Sequence, residues 1–202
     1  MLVTRYQRAQ SDAHGVGLPI SRGKVHSKMI IRRLALDDRK DVYRLHLSVF
    51  AQEERETVAC LARDLLSDVS AQPLQAFGAF VGDRLVGSVI FTGVRIQDAE
   101  PVKAAILAPL AVATDQQRHG IGSTLVRHGL AELKRCGVGL VLVYGDPKYY
   151  SRFGFAPGHR VSAPFPLQHP TGWLACELVE GLFRSTMGVA ICAASLSRPE
   201  YW

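Results

Sequence analysis

Residues Ala104 to Val112 read A-A-I-L-A-P-L-A-V, an almost unbroken apolar run of strand length, and such a run fits a strand buried on both faces. A glycine-bearing stretch follows, Ala113-Thr-Asp-Gln-Gln117-Arg-His-Gly120-Ile-Gly122-Ser-Thr124, and then the period changes. Ile121, Leu125, Gly129 and Leu133 recur every four residues with Val126 and Leu130 beside them, while Arg127, His128, Glu132, Lys134 and Arg135 fall on the opposite side. That is a helix packed on a sheet. Gly137 stands after Cys136 where a left-handed C-terminal cap is expected, and Val138 to Tyr144 (V-G-L-V-L-V-Y) supplies the next apolar run. The unit is strand, loop, helix, strand.

A helix start leaves about four backbone N–H groups without intrahelical partners and carries roughly half a positive charge. An anion there is stabilised on both counts. Glycine at 120 and 122 lets a ligand approach the backbone, so a pyrophosphate is expected against the amides of 118–123, with Arg118, His119, Ser123 or Thr124 as further donors. Two other readings stay open. The dinucleotide fingerprint G-x-G-x-x-G fails at Leu125 and starts too far beyond Val112, although Asp146 after the next strand would suit it. A ligand-free helix that uses glycine only for close packing is the plainer alternative.

A second motif, Gly145-Asp-Pro-Lys-Tyr149-Tyr150-Ser-Arg-Phe-Gly154-Phe155, reads as a short helix ending in a tyrosine. For a tyrosine pair beside Phe153 and Phe155, aromatic packing is the plain reading. Together, Leu110-Ala-Val112 before Gln117-x-x-Gly120-x-Gly122, and Tyr150 four residues before Gly154-Phe155, resemble the GNAT (Gcn5-related) N-acetyltransferase superfamily and look most like its YhbS-like branch. The likeness is dense over 104–158 and thinner from Ile30 to Val189.

The resemblance implies an acyl-CoA N-acyltransferase fold and acetyl-CoA as co-substrate, held by Leu110, Ala111, Val112, Gln117, Arg118, His119, Gly120, Ile121, Gly122, Ser123 and Thr124. It implies a pantetheine arm lying along Leu110 to Val112 like an added strand, and an acceptor across a splayed gap between two central strands. Tyr150 aligns with the general acid, Tyr149 with a packed apolar position. A phenol suits that role, because the sulfur that leaves when an amine attacks a thioester takes a proton. Many relatives carry Asn seven residues before this tyrosine where this chain has Val143, so that contact is absent or replaced.

No general base stands out. Glu53, Glu54, Asp98, Glu100 and His46 are candidates, each with an ordinary alternative as a helix-start acid, a solvated loop acid or a core histidine. The rest of the chain predicts a strand over Met29 to Leu34, a helix capped by Asp37 or Asp38 that carries Val42, Leu45 and Val49, and a helical stretch over Glu53 to Val69. Leu74 to Val81 and Leu85 to Thr92 flank Gly82-Asp83, a hairpin signal. Trp173 to Val179 reads as a last strand. The expected class is α/β, a mixed antiparallel and parallel central sheet of about six to seven strands flanked by helices. Residues 29–202 form a single domain in this reading, and residues 1–28 a flexible N-terminal extension.

The formal charge of +6 is concentrated in residues 1–36, where Arg5, Arg8, Arg22, Lys24, Lys28, Arg32 and Arg33 face Asp12 alone. The remainder is formally neutral, which argues against a nucleic-acid partner. Gly15, Gly17, Pro19 and Gly23 suit an extension; its Arg-rich, acid-poor composition also fits a transit peptide, and Met29 an internal start. Met187 to Ala194 is apolar but far short of the about 20 residues of a membrane span. A cytoplasmic chain with no membrane partner is therefore expected. Cys60, Cys136, Cys176 and Cys192 are widely spaced, which predicts buried reduced thiols and no metal site. Two functions remain: transfer of acetyl from acetyl-CoA to a primary amine of a small molecule or peptide by direct attack in a ternary complex, or a non-catalytic acyl-CoA sensor. Relatives in this superfamily commonly form homodimers.

Overall fold

A computed structural model of the protein describes residues 28–99 and 102–202. The expected N-terminal extension falls, apart from Lys28, outside the described residues, as does Glu100. In chain order the elements are β1 (Met29–Arg33), α1 (Arg39–Val49), α2 (Arg55–Leu65), β2 (Gln75–Val81), β3 (Arg84–Gln97), β4 (Ala104–Val112), α3 (Ile121–Arg135) and β5 (Leu140–Tyr144). There follow α4 (Pro147–Tyr150), β6 (Arg160–Ser162), β7 (Trp173–Glu177), α5 (Leu182–Ser185) and β8 (Met187–Ile191). The sheet runs β1-β2-β3-β4-β5-β7, with β8 paired to β3 and to β6.

The apolar run of β4 has every residue buried, because it is flanked by β3 and β5 and covered on its faces. Strands β1 to β4 are antiparallel, β4 and β5 are parallel, and β5 and β7 are antiparallel again. A parallel neighbour requires a crossover, and α3 provides it. Its apolar face packs on the sheet so tightly that a Cβ on Gly129 would stand 2.1 Å from Cε2 of Phe91 in β3. At the other end the amide of Val138 donates to Leu133 O and that of Gly137 to Lys134 O, with Gly137 at φ 77°. This pair of bonds is the left-handed cap the sequence predicts.

The mixed sheet matches the expected class, with eight strands among the described residues instead of six or seven. One addition is β8, which pairs with a β3 that runs on to Gln97, five residues past the expected end at Thr92. The other is β6, paired parallel to β8. The second helix ends at Leu65, short of Val69, because Asp68 starts a separate turn by accepting from Ser70 N. Asp38 precedes α1, but its side chain makes no cap bond to that helix. Its carboxylate instead accepts from Ala35 N at 2.8 Å and from both terminal nitrogens of Arg32. The Arg32 hydrogen bonds hold the Asp38 carboxyl below the usual range.

Candidate active site

Strands β4 and β5 pair only from Ala104↔Leu140 to Leu107↔Val143. Beyond that point β4 stays with β3, whose register shifts by one residue around Ala108 and Pro109. After Tyr144 the other chain segment leaves the sheet through Asp146 and enters α4. A gap therefore opens between the second half of β4 and the start of α4. The residue where relatives carry Asn, Val143, is fully buried at the last paired position before this gap.

The free edge of β4 can be read from hydrogen-bond alternation. Ala113 N–H donates to Val86 O, which makes Val86 and Ala113 a bonded pair; Gly87 and Val112 are then an unbonded pair, Ser88 and Ala111 bonded, and Val89 and Leu110 unbonded. The N–H and C=O groups of Leu110 and Val112 consequently face away from β3, toward the gap. One of these groups, Val112 O, accepts Gln117 Nε2 at 3.1 Å, which folds the loop back onto the strand end.

The loop then turns twice through left-handed conformations, at Arg118 (φ 64°) and at Gly120 (φ 80°). Gly120 is the residue before α3, and among the described residues nothing lies within 4 Å of where its Cβ would stand. The first intrahelical bond runs from Thr124 N to Gly120 O, so the amides of Ile121, Gly122 and Ser123 precede the point at which the helix supplies its own acceptors. Thr124 Oγ1 donates to the same Gly120 O at 3.0 Å, which commits its hydrogen and leaves Ser123 as the hydroxyl available to a ligand. Arg118 and His119 are exposed beside these amides.

Across the gap, Asp146 caps α4 by accepting from Lys148 N, with Pro147 in its first turn. Tyr149 and Tyr150 meet edge to face at 5.0 Å between ring centroids, and Phe153 and Phe155 pack against Tyr150. Both tyrosines are buried. A Cβ on Gly122 would come 2.7 Å from Tyr149 Oη and 3.4 Å from Val112 Cγ2. Gly122 is thus the point where the start of α3, the end of β4 and α4 meet. Leu110, Ala111, Val112, Ile121 to Thr124 and Tyr150 lie on these three elements, and Gln117 to Gly120 on the loop that joins β4 to α3.

Two features escape sequence reasoning. Arg84, at the start of β3, forms a two-pronged pair with Asp115 at 2.8 Å per bond and pins the hairpin to the loop; these hydrogen bonds hold the Asp115 carboxyl down at about 2. Tyr149 packs its hydroxyl against the loop glycine, a contact that an apolar residue would not make. Neither has a local signal, since the partners are 31 and 27 residues apart.

The candidate bases are not brought together. Asp98 lies past the end of β3 that faces Ala104, the end of the sheet away from the loop. Glu53 is exposed and Glu54 half-buried at the start of α2. His46 is fully buried on α1, with Nδ1 2.9 Å from Val42 O and its ring stacked on Phe50, and burial pushes its pKa down to about 4. The four cysteines are free thiols, but only Cys176 is buried and Cys136 is exposed, because it sits at the solvent-facing end of α3. Among the described residues no helix is long and apolar enough to cross a membrane.

A family model for the acetyltransferase (GNAT) domain matches residues 30–158. The chain is 34% identical over 126 residues to the uncharacterized N-acetyltransferase YjhQ of Escherichia coli K12, a match covering 59% of this chain and 70% of that protein. It is 39% identical over 72 residues to YhbS of the same organism, covering 36% of this chain and 42% of YhbS. The crystal structure of E. coli YhbS in complex with CoA superposes with a TM-score of 0.77 at 25% identity, covering 88% of this chain and 97% of that one. A GNAT acetyltransferase from Brucella melitensis in complex with acetyl-CoA shares the fold, with a TM-score of 0.69 at 22% identity over 85% of this chain and all of the other. A family model spanning most of the chain and a curated relative aligned over most of its own length agree: the chain belongs to the GNAT acetyltransferase family.

Proposed function

We propose that this protein transfers an acetyl group from acetyl-CoA to a primary amine, with both bound at once. The observation that carries this reading is the meeting of three elements at Gly122: amides without intrahelical acceptors, the outward edge of β4, and the tyrosine pair of α4. The CoA and acetyl-CoA complexes of structurally similar proteins support the choice of co-substrate.

In this mechanism the pyrophosphate rests on the amides of 118–123, with Arg118, His119 and Ser123 adding donors. The pantetheine arm runs along Leu110 and Val112, whose outward N–H groups and the Leu110 C=O pair with its amides as a neighbouring strand would, while Gln117 holds the Val112 C=O. The thioester then stands in the gap beside α4. Attack by a neutral amine forms the C–N bond, the C–S bond breaks, Tyr150 supplies the proton to the departing sulfur, and the proton shed by the acylated nitrogen restores the Tyr150 phenol. The acceptor is a small molecule or a peptide carrying a primary amine, and residues 29–202 are the catalytic domain. Release of free thiol from acetyl-CoA, followed across a panel of amines with the acetylated product detected by mass, tests the reading. Tight binding of acetyl-CoA with no turnover for any amine would point to a sensor instead, and failure to bind CoA would remove the proposal altogether.

A further inference from the structure

We infer a second ligand site, for an apolar carboxylate, at the end of the sheet opposite the loop. A cavity of about 580 Å³ lies beneath the C-terminal end of α3, over the end of the sheet where the last residues of β3 pair with the first of β4. Its size is that of a small-molecule pocket, about 300 to 1,000 Å³. It touches Ala104, whereas the loop begins after Val112, and eight residues of strand at roughly 3.3 Å each separate the two by about 26 Å. The cavity is therefore outside the gap and shares none of its residues.

The lining dictates the ligand's chemistry. Leu133 and Val138 supply buried apolar wall. The charged groups among the described lining residues are Arg95 and Lys103, with no carboxylate. Lys103 Nζ stands 3.8 Å from where a Cβ on Gly137 would lie, so it also faces the carbonyl end of α3. Arg95 has no such compensation: it is exposed and forms no ion pair among the described residues. Gln75 completes the wall, with Nε2 3.8 Å from Cys136 Sγ and Oε1 buried without a hydrogen-bond partner among the described residues. An unmet buried acceptor costs free energy that a donor brought into the cavity would recover. The occupant is thus an amphipathic monoanion whose apolar body fills the cavity, whose carboxylate meets Arg95, and which carries one N–H or O–H.

Anilinonaphthalene sulfonate has the same three parts, an aromatic body, an anion and an N–H, and its emission rises in apolar surroundings. Titrated into the full chain with CoA present to occupy the loop, it is expected to bind one saturable site and to be displaced by octanoate, which shares the apolar body and the anion though not the donor, but not by octylamine. Arg95→Glu should weaken it at least about tenfold, as repulsion replaces a charge-assisted bond. Cys136→Trp, which fills the cavity from an exposed position, should abolish binding. Dye binding that survives both substitutions, displacement by octylamine as readily as by octanoate, or no saturable binding to a folded chain would each overturn the site. Because the variants locate the dye directly, this outcome is separate from whether CoA binds the loop.

Discussion

The front and the back of α3 use glycine for opposite ends. Gly120 stands before open space in a left-handed conformation, while Gly129 lets an aromatic ring of the sheet lie against the helix. A side chain at the first position would intrude on whatever occupies the space ahead; a side chain at the second would collide with Phe91. The difference teaches that a glycine becomes a pointer to a ligand only once its neighbourhood is known. The same contrast holds for the molecule as a whole, between a gap lined by outward-facing amides and a closed interior where even a histidine is sealed in.

The strongest way to break this division is at Tyr150. If the gap is where chemistry occurs, Tyr150→Phe lowers the rate of thiol release by roughly 10² to 10⁴ and leaves CoA affinity, measured by calorimetry, unchanged; an unaltered rate removes Tyr150 from the reaction. The interior responds to acid instead. His46 has a folded pKa of about 4 against an ordinary 6.5, so between those values the unfolded chain binds the extra proton. Stability is full above about pH 6.5 and falls as the pH drops toward 4, by about 3 kcal/mol in total, and urea titrations of His46→Leu should show that slope flattened.

Smaller effects sharpen the contrast between the two glycines. Gly129→Ala forces Phe91 or the helix to move and should cost about 1 to 3 kcal/mol of unfolding free energy, while the CoA affinity of the folded fraction is retained. Gly120→Val should do the reverse. CoA binding weakens by about tenfold or more as the amides are displaced, and the melting midpoint falls only by the strain of a left-handed branched residue, about 1 to 3 kcal/mol. Equal effects of the two substitutions on CoA affinity would erase the distinction between front and back.

The central unit was legible because its constraints are local and repeated. A strand buried on both faces has no polar alternation to hide, and the period of four in Ile121, Leu125, Gly129 and Leu133 admits one secondary structure. Strands β6 and β8 were not legible. The first has three residues among prolines, and the second contains Gly188, which reads as a breaker. In the fold a Cβ on Gly188 would stand 1.9 Å from Gln97 O, so glycine is what allows the pairing with β3. Motif residues 110–112, 117–124 and 150 could be named from the resemblance to the GNAT family. The outward direction of the Leu110 and Val112 amides could not, since it depends on the register with β3. Asp38 shows a related limit: its position before a helix suggested a cap, but Arg32 from the neighbouring strand offered a stronger partner.

A strand with one ladder intact and the other missing should exchange its protons unevenly. Without ligand, the backbone hydrogens of Leu110 and Val112 belong to neither the β3 nor the β5 ladder, while that of Ala111, between them, is held by β3. Adding CoA should slow the outer two and leave the middle one as it was, a one-residue alternation that no general tightening of the protein would produce. The coenzyme would then act as a detachable edge of the sheet, so that the resting enzyme is, thermodynamically, an incomplete fold awaiting its last strand.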